Sequence, residues 1–219
     1  MPRAADPNLR ERLIDAATVE FAARGFRGAS LAAIGARAGV TKGGVYFHFA
    51  GKEELFFAVL DHWRDRRRRS LQMQSVGPAG AAAALRSFLA GYLRFHFREP
   101  AATHLLRVLA TELREGFTAR LREDDRQELR WLRANLRELL VLGVRDGALR
   151  VDDPASTAFL LAAALRGALE QWHCAPGDVE AHCGEDALAG QLVSRLATGA
   201  AGERPDGGVG DFDLGGASR

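Results

Sequence analysis

The residues whose types and spacing could do chemistry fall within 30–52, SLAAIGARAGVTKGGVYFHFAGK. Lys42, Gly43, Tyr46 and His48 lie on the outer side of a short helix whose Val45 and Phe49, one turn apart, point inward. A cation, a small residue, a phenol and an imidazole on one exposed face suit the base edges and phosphates of a DNA major groove. The plain alternative is a solvated loop between core helices. Charge argues against it: from Phe21 to Lys52 there are five cations (Arg24, Arg27, Arg37, Lys42, Lys52) and no acid. The whole 219-residue chain, by contrast, nets only +2. Lys42 and Lys52 are also its only lysines, the other 28 cations being arginine, so a compact ammonium is wanted at this one place.

The elements that must position this face can be read locally. Ser30 is placed to cap a helix whose apolar side is Leu31, Ile34 and Ala38. Gly39 ends that helix, because glycine enters a left-handed turn without steric cost. Val40 plugs the turn, and Thr41 caps the next helix. An earlier helix, with Ile14, Ala17 and Phe21 as its stripe, is predicted from about Asn8 to Arg24.

On these residues the segment resembles the DNA-binding domain of the tetracycline-repressor (TetR) family. The resemblance is carried by Ile34 to Val40, Thr41-Lys42-Gly43-Gly44-Val45-Tyr46-Phe47-His48-Phe49 and Lys52-Glu53-Glu54-Leu55. Phe47-His48-Phe49, where tyrosine-histidine-phenylalanine is commoner, looks most like the actinobacterial branch that contains butyrolactone receptors. Gly35 departs from the family's alanine at a helix crossing and is expected to loosen the first helix of the pair. The motif covers roughly residues 9–60. It implies that Thr41, Lys42, Gly43, Tyr46 and His48 lie in or beside the groove, that Lys52 holds a phosphate, and that Arg27 and Ser30 add backbone contacts.

Beyond the motif the period stays helical. Leu55, Val59 and Trp63 form a stripe leading into Arg66-Arg67-Arg68-Arg69; Leu85 to His96, Leu105 with Leu109 and Leu113, Leu129 to Gly143, Leu161 to Trp172, and Leu188 to Leu196 follow. Alternating strands are absent, which predicts an all-α fold. The expected organisation is an N-terminal three-helix helix-turn-helix domain over residues 1–54 and a larger helical domain over 55–198, with the helix of 52–73 connecting them. The tail 199–219, with seven glycines, is expected to be disordered. With 47% apolar residues the chain can bury a substantial core, and no apolar run is long enough to span a bilayer, so no membrane partner is expected. Two cysteines and no signal-peptide pattern point to the reducing cytoplasm.

Other chemistries were weighed on the same residues. The arginine run sits at a helix C-terminus, where cations offset exposed carbonyls, and reads as a solvated terminus, with ligand or partner contact as the alternative. His173-Cys174 and His182-Cys183 supply four groups able to ligate zinc, but their spacing matches no standard module, so no metal and no cofactor is expected. Gly44 to Lys52 fails as a phosphate loop, and GxSxG, HExxH and CxxC are absent. Phe88, Tyr92, His96, Leu109, Trp131, Asn135, Leu165 and Trp172 are the candidate lining of a site for a small apolar or amphipathic effector. Trp131 carries most weight, through a loose resemblance to the pocket tryptophan of butyrolactone receptors. The resulting expectation is a homodimeric, ligand-responsive repressor of double-stranded operator DNA. A DNA-organising protein without an effector, and an enzyme with an incidental basic patch, are the alternatives.

Overall fold

The computed structural model describes residues 8–72, 80–112, 119–175 and 184–197. The tail 199–219 and the pair His182-Cys183 lie outside them. Among the described residues nine α-helices follow one another: α1 (Leu9–Gly28), α2 (Leu31–Arg37), α3 (Lys42–His48), α4 (Lys52–Gln72), α5 (Gly80–Arg98), α6 (Pro100–Glu112), α7 (Ala119–Arg145), α8 (Pro154–Cys174) and α9 (Glu185–Ser194). Among the described residues the only pairing of strand type is one antiparallel bridge, Leu149 to Ala197. The expected all-α fold is what forms.

Two apolar cores organise these helices. The first gathers Leu13, Ala17 and Phe21 of α1, Ile34 of α2, Val45 and Phe49 around α3, and Leu55, Phe56 and Val59 of α4, with Leu105 and Val108 of α6 closing it. Its centre is aromatic: Phe21 meets Phe56 edge-on at 4.9 Å, and Phe26 meets Phe56 at 5.2 Å. The second core joins α5, α7, α8 and α9 through Leu85, Leu89, Leu93, Leu132, Leu136, Leu140, Leu161, Leu165 and Val193. Helix α4 belongs to both, through Leu55 to Leu60 at one end and Leu71 at the other.

The regular helix predicted to run to Arg24 leaves helical backbone at Gly25, at φ 68° and ψ 177°, and a separate short turn continues to Gly28. A left-handed backbone of this kind favours glycine. At the other end of the molecule Gly143 has a steric role: a Cβ there would lie 2.4 Å from Leu149 Cδ1. The chain turns back at Gly147 (φ 74°), and Leu149 N donates to Gly143 O at 2.8 Å. Leu149 is thereby packed onto the end of α7 and is 2% exposed.

Candidate nucleic-acid interface and effector cavity

Local capping sets the short helix α3. Ser30 Oγ accepts from Ala33 N at 3.1 Å and starts α2; Thr41 Oγ1 accepts from Gly44 N at 3.3 Å and starts α3. Gly39, at φ 77°, makes the turn between them. Val45 is fully buried and Phe49 is 2% exposed, and these two pin α3 from beneath. The opposite face holds Lys42, Gly43 and Tyr46, all exposed, with His48 half-buried. Lys42 Nζ stands 5.8 Å above the Tyr46 ring, so the two side chains share one patch.

Phe47 is the functional candidate that sequence reading passed over. It is 82% exposed, more than any other large apolar side chain described, and its ring meets that of His48 edge-on at 5.2 Å. Residues 43, 46 and 47 fall at helical spacings of three and four, so the signal was available in the sequence. Phe47 was treated there only as a variant of the family pattern.

Lys52 does more than the resemblance implied. Its ammonium donates to the Arg27 carbonyl at 3.2 Å and the Ala29 carbonyl at 2.9 Å, and lies 4.8 Å over the Phe26 ring. These carbonyls close the last turn of α1, whose acceptors have no helical partner. Lys52 therefore clamps the start of α4 to the α1–α2 corner. An ammonium has three donors, so a phosphate can be added to the two carbonyls. Arg27 and Ser30 are both exposed at the same corner.

In the second core the candidate effector residues separate into groups. Phe88, Trp131 and Asn135 line one cleft of about 290 Å³ with Arg68, Leu139 and Glu138. That is near the lower end of the volume range of ligand pockets, roughly 300 Å³. Asn135 Nδ2 donates to the Trp131 carbonyl at 2.8 Å, which leaves its oxygen as the acceptor it can offer. Tyr92 (3% exposed) and His96 (1%) lie deeper. His96 lines a second, smaller cavity of about 20 Å³ with Arg64, Arg67 and Phe95, room for about one water. Leu165 is core, 1% exposed, and Trp172 packs instead on Phe97 at 5.2 Å. Leu109 stands on α6 and its side chain is outside the described ones.

Within the arginine run Arg66 and Arg69 are exposed, as expected of a solvated terminus, but Arg67 and Arg68 are not. Arg67 is 2% exposed and pairs with Glu128 of α7, itself 7% exposed. Arg68 reaches the other oxygen of the same carboxylate at 3.3 Å, and Arg64 approaches it at 3.6 Å. Arg67 Cζ lies 5.3 Å from the Tyr92 ring centre and 5.4 Å from that of Trp131; Arg68 Cζ lies 5.1 Å from that of Trp131. Burial, then the charges of Arg67 and Arg166, hold the His96 imidazole well below its ordinary pKa, so it is neutral in the folded chain. Thr103 Oγ1 donates to the His96 carbonyl at 2.9 Å and lies 3.3 Å from Nδ1. The imidazole Nε2 is buried and has no hydrogen-bond partner among the described residues.

Two of the four possible metal residues lie among the described ones. His173 packs edge-on against His104 at 4.7 Å and Cys174 is exposed, but His182 and Cys183 fall outside the described residues. Among the described residues no three potential ligands gather. No described helix is long and apolar enough to cross a membrane.

Comparison with known proteins bears on the same two regions. Residues 13–59 match the family described as bacterial regulatory proteins, tetR family. The HTH-type transcriptional regulator SrpR of Pseudomonas putida is 53% identical over 51 residues, which is 23% of this chain and 24% of that protein. The likeness to the HTH-type transcriptional repressor NicS of the same species is longer: 29% identity over 161 residues, 71% of this chain and 73% of NicS. Among solved structures, a TetR transcriptional regulator from Chloroflexus aurantiacus is 25% identical, covers 85% of this chain and 93% of its own, and superposes with a TM-score of 0.72. The SmeT–triclosan complex shares the fold at 22% identity, 88% and 93% coverage and a TM-score of 0.70.

Proposed function

The chain belongs to the TetR family of transcriptional regulators, and from that premise we propose that it is a homodimeric repressor released from a palindromic operator by a small effector. The observation that carries this reading is the outer face of α3. Lys42, Gly43, Tyr46 and Phe47 are exposed together on a helix pinned at both ends, an arrangement with no use in a monomer core. Lys42 supplies a charged donor to a base or phosphate, Tyr46 and His48 donate to phosphates, and Gly43 lets the backbone approach closely. Phe47 offers an apolar surface to a thymine methyl group. On this reading residues 1–54 read DNA and 55–198 hold effector and partner, with α4 joining them.

The proposed dimer rests on α8. Leu161, Ala162, Leu165 and Leu169 face the monomer core, while Phe159 (56% exposed), Leu160 (65%), Ala163 and Ala164 form a second apolar stripe toward solvent. A Cβ added at Gly167 on that side would meet nothing. An open stripe of large and small apolar groups is what a second helix packs on. SmeT binds triclosan in the same fold, and the cleft beside Trp131 offers this chain a place for an effector of comparable kind.

Selection of binding sites from random duplex DNA with the full chain tests the proposal. A two-fold symmetric site is expected, with half-site centres about 34–36 Å apart. Lys42→Ala and Tyr46→Ala are each expected to weaken it by about 1–3 kcal/mol without loss of helicity. Salt-sensitive binding with no preferred sequence would instead identify a DNA-organising protein. Monomers at micromolar concentration by light scattering would overturn the dimer.

A further inference from the structure

Among the described residues the arginines near the end of α4 outnumber the carboxylates that pair with them. Among the described residues Arg67 and Arg68 have one carboxylate between them, that of Glu128. Arg64, the third cation on that carboxylate, has a second partner in the exposed Asp61 at 3.5 Å. Arg166, also close enough to act on Tyr92 and His96, has its own partner in Asp125 at 3.2 Å. Two guanidinium groups and one carboxylate leave a surplus of one positive charge. Moreover, Nε of Arg67 and Nε of Arg68 are both buried without an acceptor among the described residues. A buried donor left unmade, on an ion, is costly, and two on adjacent residues call for an acceptor from elsewhere.

The cleft of about 290 Å³ brings that acceptor within reach. Arg68 and Trp131 both line it, and the guanidinium groups of Arg67 and Arg68 lie against the Trp131 ring. Phe88, Leu71 and Leu139 make the remainder apolar; Glu138, exposed, and Gln72 stand with them in the lining. We propose that the effector of this regulator is an apolar monocarboxylate, whose anionic head is taken by Arg68 while its body lies along Phe88 and Trp131. Glu128, with one oxygen on each arginine, is the internal version of the same contact and shows that the site accepts a carboxylate's shape. A single acid neutralises the surplus of one; a neutral effector would leave it in place. This narrows the effector of the function proposed above and rests on that reading.

The experiment uses three acids paired with their own primary amides: octanoate, 4-phenylbutyrate and 2-naphthoate. Each is titrated into the full chain at pH 7.5, read by calorimetry and by thermal shift, with release from the selected operator followed in parallel. At least one acid is expected to bind ten-fold or more tightly than its amide. Arg68→Gln, at a side chain 36% exposed, is expected to keep its helicity, lose that ten-fold, and leave amide affinity where it was. Glu128→Gln, if it folds, is expected to bind the acid more tightly still, because the surplus charge becomes two. Equal affinity of acid and amide, binding by none of the acids, or an Arg68→Gln variant that keeps the preference would each overturn the proposal. Amides that bind and release DNA would do so while leaving the regulator intact. Acids that bind without releasing DNA would uphold the site and count against the effector-controlled repressor.

Discussion

Replacing Gly43 by alanine should move stability and DNA affinity in opposite directions, and the structure gives a size for each. Gly43 is the second residue of α3, is exposed, and a Cβ built on it comes no closer than 3.6 Å to any neighbour, the Thr41 Oγ1. That is ordinary contact, so the methyl group costs nothing in the free protein. Glycine within a helix is about 0.5–1 kcal/mol worse than alanine. In the first turn the lower figure applies, and for a chain of this size about 0.5 kcal/mol corresponds to a rise of roughly 1–2 °C in Tm. On DNA the same methyl group stands on the outer face, between Thr41 and the Tyr46–Phe47 patch, where the backbone must come close to the groove. Displacing one groove or phosphate contact costs about 1–3 kcal/mol, or about 5- to 150-fold in Kd. Fluorescence anisotropy at fixed salt and thermal melting of the same sample read both quantities. An alanine variant that melts higher and binds DNA with unchanged affinity would refute the placement of Gly43 at the interface. One that melts lower would refute the local account of α3.

Three further outcomes follow from particular contacts. Lys52→Ala is expected to lower stability by about 1–2 kcal/mol, because two carbonyl contacts and the ring contact with Phe26 go, and also to flatten the salt dependence of DNA binding; a flattened slope with unchanged stability would show that the clamp contributes nothing. Gly143→Ala is expected to destabilise by about 1–3 kcal/mol in urea unfolding, since the added Cβ would lie 2.4 Å from Leu149 Cδ1 and the turn at Gly147 prevents easy retreat. For His96 the folded chain keeps the imidazole neutral while the unfolded chain protonates it below about pH 6.5. Stability is therefore full above that pH and falls as pH drops, by up to about 1.4 kcal/mol per unit until the folded pKa is reached, and His96→Gln is expected to remove this slope.

What the sequence made legible was whatever is decided within a few residues. The caps Ser30 and Thr41, the turn at Gly39 and the inward pair Val45 and Phe49 all follow from neighbours three or four positions away, and all stand as read. Periodicity also found Phe88, Tyr92 and His96 on one stripe of α5. It could not divide them, although eight residues of helix span about 12 Å and so place Phe88 and His96 at different cavities. The arginine run shows the limit most clearly. Nothing near Arg67 in the chain distinguishes a solvated helix end from a buried one; the decision is made by Glu128, 61 residues away. Gly143 was read as part of an apolar stripe, and its reason, the returning Leu149, lies beyond the turn that follows.

These long-range contacts make α4 the element through which the two regions can influence each other. Its 21 residues span about 30 Å. At its first residue Lys52 ties it to the end of α1; midway, Trp63 Nε1 donates to Thr18 Oγ1 at 3.2 Å; near its last turn Arg67 and Arg68 tie it to Glu128. The first two ties fix α4 to the helices that carry α3, so these move as a unit. The third is an ion pair with an acceptor shortage, the one joint of the three whose partners a ligand could change. On the proposed function, a ligand held there would act on the orientation of α4 against α7, and hence on the distance between the two reading helices of the proposed dimer. It shifts that balance only by the difference in its affinity for the two orientations.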